Sequence, residues 1–385
     1  MTTAPNTATS PLLFTYDVAV EAVTPLHVGN GETLLRDYDF VIHGDEFIVL
    51  DIDRVYGRLF DRLPEEHWEK LAEMPLRRVM TADGARDPEL SRYPRMRLAP
   101  GVEGDRFEDV RACIRTAGGE AYLPGSSLKG AIRTAFATGY AAEQGGAWLA
   151  SLMDDVATRR PRREFAARAI DQEVFGPTPN ADVLRALRPS DMYVRTEESP
   201  SDTRHVDRNV ELVETRVAKR NGESTATIMV EAFRAGTILD GTLTVDANPV
   251  AHLDSERRAQ WEGLASEVAL GAVTFLNDHA AALIDREKRH HAGTSLASEY
   301  VALERRLASL SEGSALAWVG WGTGWTAKTY GDLLTADPSF REVAGQYRLG
   351  DPESFPTTRR LAYANGRPHR PMGWAVVTIT PRGER

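Results

Sequence analysis

The chain has 385 residues, of which 42% are hydrophobic and 26% charged, enough for one elaborated domain or two small ones. Its single cysteine, Cys113, excludes an internal disulfide and a multi-cysteine metal site, and a cytoplasmic location is expected. No apolar stretch approaches the length of a membrane-spanning helix, so no membrane partner is expected. Residues 1–11 are polar and rich in Thr and Pro, which predicts a disordered leader rather than a signal peptide.

The formal net charge of −10 argues at first against a polyanionic ligand. Three glycine-containing segments, 121–140, 315–330 and 355–374, nevertheless contain no acidic residue and together carry seven Lys and Arg side chains. The last of them holds Arg359, Arg360 and Arg370. A protein with this distribution can bind phosphates along one groove and stay soluble elsewhere.

The first half of the chain opens with alternating apolar and polar residues, which predict a strand at 14–28 and a second strand or hairpin at 39–50. Apolar residues at helical spacing predict a helix from Leu128 to Tyr140. The resulting predicted units are a first part of the core (12–50), an insertion (51–118), a core helix (119–140) and a helical insertion (141–190).

The second half contains a β-branched stretch at 225–245, which predicts two strands or one bent strand, and a helical pattern at 255–285. Core strands are assigned to 191–250, and the C-terminal half of the core, with a closing strand at 374–379, to 251–385. The order strand, helix, strands, helix, strand predicts an α+β fold with a ferredoxin-like (RRM-like) core and large insertions.

A candidate anion site lies at the start of the predicted core helix, in the sequence L-P-G-S-S-L-K-G-A-I-R-T. Gly125 lets a ligand approach the unpaired N–H groups of the helix, and Ser126 or Ser127 is the predicted N-cap. Lys129 in the first turn opposes the helix dipole unless an anion sits there, and Arg133 follows one turn later on the same face. Both are predicted to contact successive phosphates; an ordinary capped helix with exposed basic residues is the alternative.

A second candidate site is the sequence V-G-W-G-T-G-W-T-A-K-T, in which alternate glycines, including Gly322 and Gly324, free the backbone for close approach to a ligand. Trp321 and Trp325 are predicted to stack on bases and Lys328 to contact a phosphate. The spacing does not match a dinucleotide-binding or Walker A motif. The alternative is that both tryptophans belong to the core.

The third motif, T-P-L-H-V-G-N-G-E, places His27, Gly29 and Gly31 at the end of the first predicted strand. His27 is a candidate general base, but packing or RNA contact is the favoured interpretation. No Ser/His/Asp constellation and no metal-spaced cluster is present, so no catalytic residue, metal or cofactor is predicted.

Together these motifs resemble the RAMP proteins of type III CRISPR effector complexes, and most closely the fifth subunit of the type III-A (Csm) complex, which caps the 3′ end of the CRISPR RNA (crRNA). The resemblance also rests on V-F-G with R-P-S-D-M at 174–192, on F-P-T-T-R-R-L and on R-P-M-G-W near the C-terminus. It implies a non-catalytic, crRNA-binding cap involved in crRNA maturation and antiviral defence.

The resemblance further implies a thumb-like β-hairpin at about 203–220, anchored by Arg204, Arg208 and Arg216, that inserts an apolar tip between bases. An exposed hairpin of mixed charge is the alternative for this segment. The implied partners are crRNA, complementary target RNA, the adjacent backbone RAMP subunit and the small subunit of the Csm complex, and host nucleases that trim the crRNA.

Catalysis is the main alternative function. The backbone subunit of the same complex has similar motifs and cleaves target RNA with an aspartate in the loop after its first strand, and Asp37 and Asp39 lie nearby in this chain. Both flank an aromatic residue and lead into a predicted strand, which favours the non-catalytic interpretation. A repeat-processing endoribonuclease with His27 as base and a nucleotide-dependent oxidoreductase are further alternatives.

Overall fold

The computed structural model describes residues 13–44, 46–62, 65, 76, 89–98, 107–162, 167–195, 206–219, 224–246, 255, 268–352 and 355–382. The predicted leader at 1–11, Arg204, and the start of the helix predicted at 255–285 lie outside these residues, apart from Ser255. Runs of strands and runs of helices follow one another along the chain, and the strands form largely antiparallel sheets, so the fold is of the predicted α+β class.

Helices and strands are numbered here in chain order. The helices are α1 (Ile52–Arg62), α2 (Gly125–Gln144), α3 (Gly146–Arg159), α4 (Arg168–Phe175), α5 (Val268–His290), α6 (Ala297–Ala308), α7 (Asp332–Ala336) and α8 (Phe340–Gln346). The strands are β1 (Leu13–Ala22), β2 (Gly29–Leu35), β3 (Phe40–His43), β4 (Glu46–Leu50), β5 (Pro94–Leu98), β6 (Asp109–Cys113), β7 (Tyr122–Leu123), β8 (Leu187–Pro189), β9 (Met192–Val194), β10 (Val210–Lys219), β11 (Ser224–Phe233), β12 (Ile238–Asp246), β13 (Ser314–Trp318), β14 (Thr358–Ala364), β15 (Arg367–Pro371) and β16 (Trp374–Pro381). None of the described helices combines the length and apolar character needed to cross a lipid bilayer.

The largest sheet is antiparallel, and its strands follow the order β13-β16-β1-β12-β9-β7, with β8 also paired to β12. β1 is an inner strand, and the alternation that predicted it buries Val18, Val20 and Ala22. Helices α2 and α5 pack against each other; α2 also contacts β8, and α5 contacts β13 and β16. The closing strand predicted at 374–379 is β16, which lies between β1 and β13.

A second sheet of six strands follows the order β15-β14-β10-β11-β6-β2, and a third contains β3, β4 and β5. The segment predicted at 225–245 is two strands, β11 and β12, which belong to different sheets. They are joined by residues 234–237, where Gly236 has a φ of +90°. β10 pairs with β11 on one side and β14 on the other, so this part of the predicted thumb is an inner strand.

Helix α2 begins earlier than predicted, and Pro124 rather than either serine occupies its N-cap position. Lys129 therefore lies beyond the first turn, and the argument from the helix dipole does not apply to it. The N–H group of Gly125 donates to the Asp191 carboxylate at 2.9 Å. The negatively charged group at this helix terminus is therefore the Asp191 side chain of the protein itself. This corrects the prediction that Gly125 lets a ligand approach the helix N–H groups.

Gly125→Ala tests this close packing. A Cβ at position 125 would lie 2.2 Å from the carbonyl oxygen of Pro189, so the substitution should lower the free energy of unfolding by roughly 1–3 kcal/mol. Gly130→Ala is the matched control in the same helix, since its Cβ would meet nothing within 4 Å and alanine favours helix by about 1 kcal/mol. Urea unfolding of the full chain measures both, and equal changes would contradict the packing role.

Candidate RNA-binding cleft

The three sequence motifs meet at one cleft with a volume of about 750 Å³. Its walls come from residues 27–33, from Arg111 and Ala112 of β6, from the first half of α2 and from the loop after β13. Eight of the predicted RNA-binding residues line it: His27, Gly29, Gly31, Ser126, Ser127, Arg133, Trp321 and Lys328. Their common location is observed, and their contact with RNA stays a prediction.

The Gly/Trp-rich loop is held against the His27 segment by main-chain hydrogen bonds. The N–H group of Trp321 donates to the His27 carbonyl at 2.8 Å. The N–H group of Val319 donates to the carbonyl of Gly373 in the C-terminal segment at 2.7 Å, and the N–H group of Gly373 donates in turn to the Pro25 carbonyl at 2.8 Å. Gly320 has a φ of +90°, and a Cβ there would lie 2.6 Å from the His27 carbonyl oxygen. Only glycine permits both the backbone conformation and this approach, so the loop is fixed by its glycine.

Trp321 holds two guanidinium groups at the wall of the cleft. The Cζ atom of Arg360 lies 4.3 Å from the ring centroid and that of Arg111 lies 5.1 Å from it, both within the range of cation–π attraction. The ring of His27 packs on the same indole, with centroids 5.4 Å apart and an interplanar angle of 83°. The indole therefore positions cations, and its stacking on a base stays a prediction.

Arg111, Arg360 and Lys328 form no ion pair with a carboxylate anywhere in the part of the chain that the structure describes. Burial and the charge of Arg111 both lower the pKa of Arg360, and partial burial lowers the pKa of Lys328. The acidic residue on the cleft wall is Glu32. Cations held in this way favour a bound anion, because an added negative charge relieves their repulsion and desolvation.

Sequence reasoning missed Arg111, which lies in the segment predicted as an insertion. Its strand, β6, pairs with β2 and β11, and Arg111 lies opposite Thr33 and Val230. These pairings join residues far apart in the chain, so no local pattern indicates them. The alternation in D-V-R-A-C, with Val110 and Ala112 buried and Arg111 exposed, is the signal that predicts a strand with an outward arginine.

Arg133 lines the cleft, but its charge is compensated. Its Nη1 lies 2.7 Å from Asp182, and its Cζ lies 3.5 Å from the ring centroid of Phe175. Lys129 does not line the cleft; burial is the main cause that lowers its pKa, and the charge of Asp182 opposes this. The predicted pair of phosphate contacts on one helix face is therefore not formed at this cleft.

His27 packs in the interior next to the cleft, which is one of the two roles favoured from the sequence; its contact with RNA stays a prediction. It is 2% exposed, and its Nδ1 lies 2.5 Å from the Glu231 carbonyl oxygen. Burial is the main cause that lowers the pKa of His27 to about 4. The ring is therefore uncharged near neutral pH and too weak a base for effective proton abstraction there.

Three further residues of the Gly/Trp-rich loop are predicted to bind RNA: Trp325, Gly322 and Gly324. Trp325 packs in the core, and the two glycines shape the loop. Trp325 packs on Phe355 and Phe340, with centroids 4.8 and 6.1 Å away, which supports the core alternative. Gly322 and Gly324 have φ values of +88° and +82°. A Cβ at Gly322 would lie 3.4 Å from the Arg360 side chain, so this glycine helps Arg360 to lie against the loop.

Two of the C-terminal arginines lie away from the cleft. Arg359 is 8% exposed, and its Nε is within 2.7 Å of the Glu287 carboxylate, which is fully buried. The prediction that Arg359 contacts RNA is corrected, because this guanidinium is committed to an internal ion pair. Arg370 lies 3.7 Å from Glu299 and does not line the cleft. The acid-free segment 355–374 thus meets acids from elsewhere in the fold.

The arginines of the predicted thumb are not cleft residues either. Arg208 is exposed in the turn before β10. Arg216 lies 2.5 Å from Glu214 and packs over Tyr363, with its Cζ 4.8 Å from the ring centroid. A role for them in RNA binding stays a prediction, and it would concern a surface other than the cleft.

The candidate catalytic aspartates lie in the turn between β2 and β3. Asp37 has a φ of +62°, and the Asp39 carboxylate accepts a hydrogen bond from the Leu35 N–H group at 2.8 Å. Neither residue lines the cleft. Within the described residues, no three histidine, cysteine or acidic side chains converge as metal ligands.

Comparison with known families decides the classification. A model of the RAMP superfamily matches residues 19–271. The chain belongs to the RAMP superfamily. Csm5 of Streptococcus thermophilus, a CRISPR system protein, is 29% identical over 139 residues. That alignment covers 31% of this chain and 37% of the relative, so this RAMP protein spans little more than a third of that relative's length.

Two solved structures share the fold of this RAMP protein over nearly its whole length. A chain in the cryo-EM structure of a type III-A Csm–crRNA–target RNA ternary complex has a TM-score of 0.71 and 23% identity, covering 94% of this chain and 100% of that one. The crystal structure of T. onnurineus Csm5 has a TM-score of 0.64 and 19% identity, covering 93% and 99%. The resemblance predicted from the motifs is therefore confirmed.

Arg359 and Arg360 are neighbours in the sequence, but the first is buried in the core and the second packs on Trp321 of the cleft. Substituting each by alanine tests this difference. Arg359→Ala leaves the buried Glu287 carboxylate without its guanidinium partner and should lower the free energy of unfolding by roughly 3–5 kcal/mol. Arg360→Ala removes an indole contact of about 0.5–1 kcal/mol and should chiefly weaken RNA binding. Urea unfolding and RNA titration of both variants measure the two effects, and the reverse assignment of effects would contradict the structure.

Proposed function

We propose that this chain is a crRNA-binding, non-catalytic subunit that caps the 3′ end of the crRNA in a cytoplasmic type III-A (Csm) complex. In that role it takes part in crRNA maturation and antiviral defence. The observation that carries the proposal is the cleft where the three motifs meet, because Arg111 and Lys328 line it and Arg360 packs on its Trp321, all three without carboxylate partners among the described residues. The similarity to Csm5 and to a chain of a Csm–crRNA complex supports this assignment.

The cleft suits the backbone of a guide RNA. Arginine and lysine bind phosphates, and the hydroxyls of Ser126 and Ser127 at its wall can donate to phosphate oxygens. Contacts of this kind carry no sequence information. A cap must accept guides with many different spacer sequences, so most of its contacts with the guide are expected to be with phosphates.

The core of the chain is proposed to be ferredoxin-like. Its support is the antiparallel order β9-β12-β1-β16, with α2 between β1 and β9 in the chain and α5 between β12 and β16. The thumb predicted at about 203–220 has weaker support, because β10 is an inner strand. The proposed partners are crRNA, target RNA, the neighbouring backbone RAMP and small subunits, and nucleases that trim the crRNA.

The RNA-binding role predicts a defined salt dependence. Arg111→Ala and Lys328→Ala should each weaken binding of single-stranded RNA to the full chain and reduce the slope of log K against log salt by about 0.7 per lost phosphate contact. In a reconstituted complex, both variants should yield crRNA with shorter or more heterogeneous 3′ ends, because an unprotected end is open to trimming.

Arg195→Ala is the matched control, since Arg195 forms a two-pronged pair with Asp240 outside the cleft. It should leave the salt slope and the crRNA length unchanged. RNA binding measured by fluorescence anisotropy and crRNA length on a denaturing gel provide the readouts. Wild-type binding and wild-type crRNA ends in the Arg111→Ala and Lys328→Ala double variant would refute the proposal.

The non-catalytic assignment is tested at the candidate aspartates. Asp37→Ala in a reconstituted complex should leave every cut in the target RNA, because Asp37 lies in a turn outside the cleft. Gel analysis of target fragments measures this. Loss of one cut, with complex assembly intact, would show instead that the turn between β2 and β3 is a ribonuclease site.

A further inference from the structure

A side pocket of about 180 Å³ opens from the cleft and has a different chemical character. The two cavities share Arg133, Thr134 and Lys328, so a strand lying in the cleft passes the mouth of the pocket. The cavity can hold one planar base and is too small for a base pair. Its remaining polar and aromatic wall consists of Asp171, Phe175, Thr329 and Tyr330.

The guanidinium of Arg133 gives this pocket a rigid flat surface. Asp182 at 2.7 Å compensates its charge, and the ring of Phe175, 3.5 Å from Cζ to centroid, holds it flat. A planar guanidinium fixed in this way is a surface on which bases stack. Arg133 thus has a better-supported role as a stacking partner than as the phosphate contact predicted from the sequence.

The polar groups of the pocket are suited to a base edge and not to a phosphate. Tyr330 is 7% exposed, and its hydroxyl lies beside the Asp171 carboxylate as a weak hydrogen-bond partner, with no other partner among the described residues. Burial is the main cause that raises the pKa of Tyr330, and the nearby Asp171 carboxylate adds to it. Burial is the main cause that raises the pKa of Asp171, and the charge of Arg133 opposes this. In its ionised form this carboxylate only accepts hydrogen bonds and repels phosphate, so it calls for a ligand that presents N–H donors.

We propose that this pocket binds a single unstacked nucleobase of the guide RNA and prefers guanine; the inference rests on the proposed binding of the guide strand in the adjoining cleft. Guanine presents N1–H and N2–H donors side by side, which match the two oxygens of the Asp171 carboxylate. Uracil presents one N–H donor between two carbonyl acceptors, which the carboxylate repels. The base stacks on Arg133 while its own phosphate stays in the cleft.

The test compares two decamer RNAs, one of uridines only and one with a single central guanosine, bound to the full chain and followed by fluorescence anisotropy. The wild-type chain should bind the guanosine decamer about tenfold more tightly, as expected for hydrogen bonds to a charged group. Asp171→Asn and Tyr330→Phe should each reduce this preference to within about twofold. Both variants should keep the wild-type affinity for the uridine decamer, and this retained affinity shows that they are folded.

Asp155→Asn, which removes the carboxylate partner of Arg159 on α3, is the control and should keep the wild-type preference. Equal wild-type affinities for the two decamers, or a preference that survives both pocket substitutions, would overturn the inference and leave the cleft proposal intact. Failure to bind either decamer would count against the proposed function itself. Arg111→Ala separates the two sites, because it should weaken both decamers by the same factor.

Discussion

The cleft depends on one backbone contact, the hydrogen bond from the Trp321 N–H group to the His27 carbonyl beside Gly320. It joins the connection between β1 and β2 to a loop almost three hundred residues later. Because the loop is fixed there, the indole of Trp321 lies where Arg111 of β6 and Arg360 of β14 can both pack on it. The second sheet and the loop thus form one wall, opposite α2.

Two sets of basic residues in this acidic chain have different roles. Arg359 and Arg133 have carboxylate partners, and they stabilise the fold or supply a flat surface. Arg111, Arg360 and Lys328 have none within the described residues and line or adjoin the cleft. The proposed RNA ligand therefore has a local site of uncompensated positive charge, even though the whole chain carries a net charge of −10.

Local patterns predicted the fold class, β1, β16 and the body of α2, because strand alternation and helical spacing are properties of neighbouring residues. The meeting of the three motifs also followed from their shared chemistry. The burial of Arg359 could not be predicted, since its partner Glu287 is 72 residues away. The same holds for Asp191, which binds the first N–H group of α2 from 66 residues further on.

The turn between β11 and β12 has a mechanical consequence. It carries the chain directly from the second sheet into the first, so the two sheets can separate only by breaking the long pairings of β10 with β11 or β1 with β12. The walls of the cleft are in this way tethered before any ligand arrives. If the cleft binds RNA as proposed, the loss of conformational freedom on association falls mainly on the nucleic acid, and the protein contributes a preorganised surface.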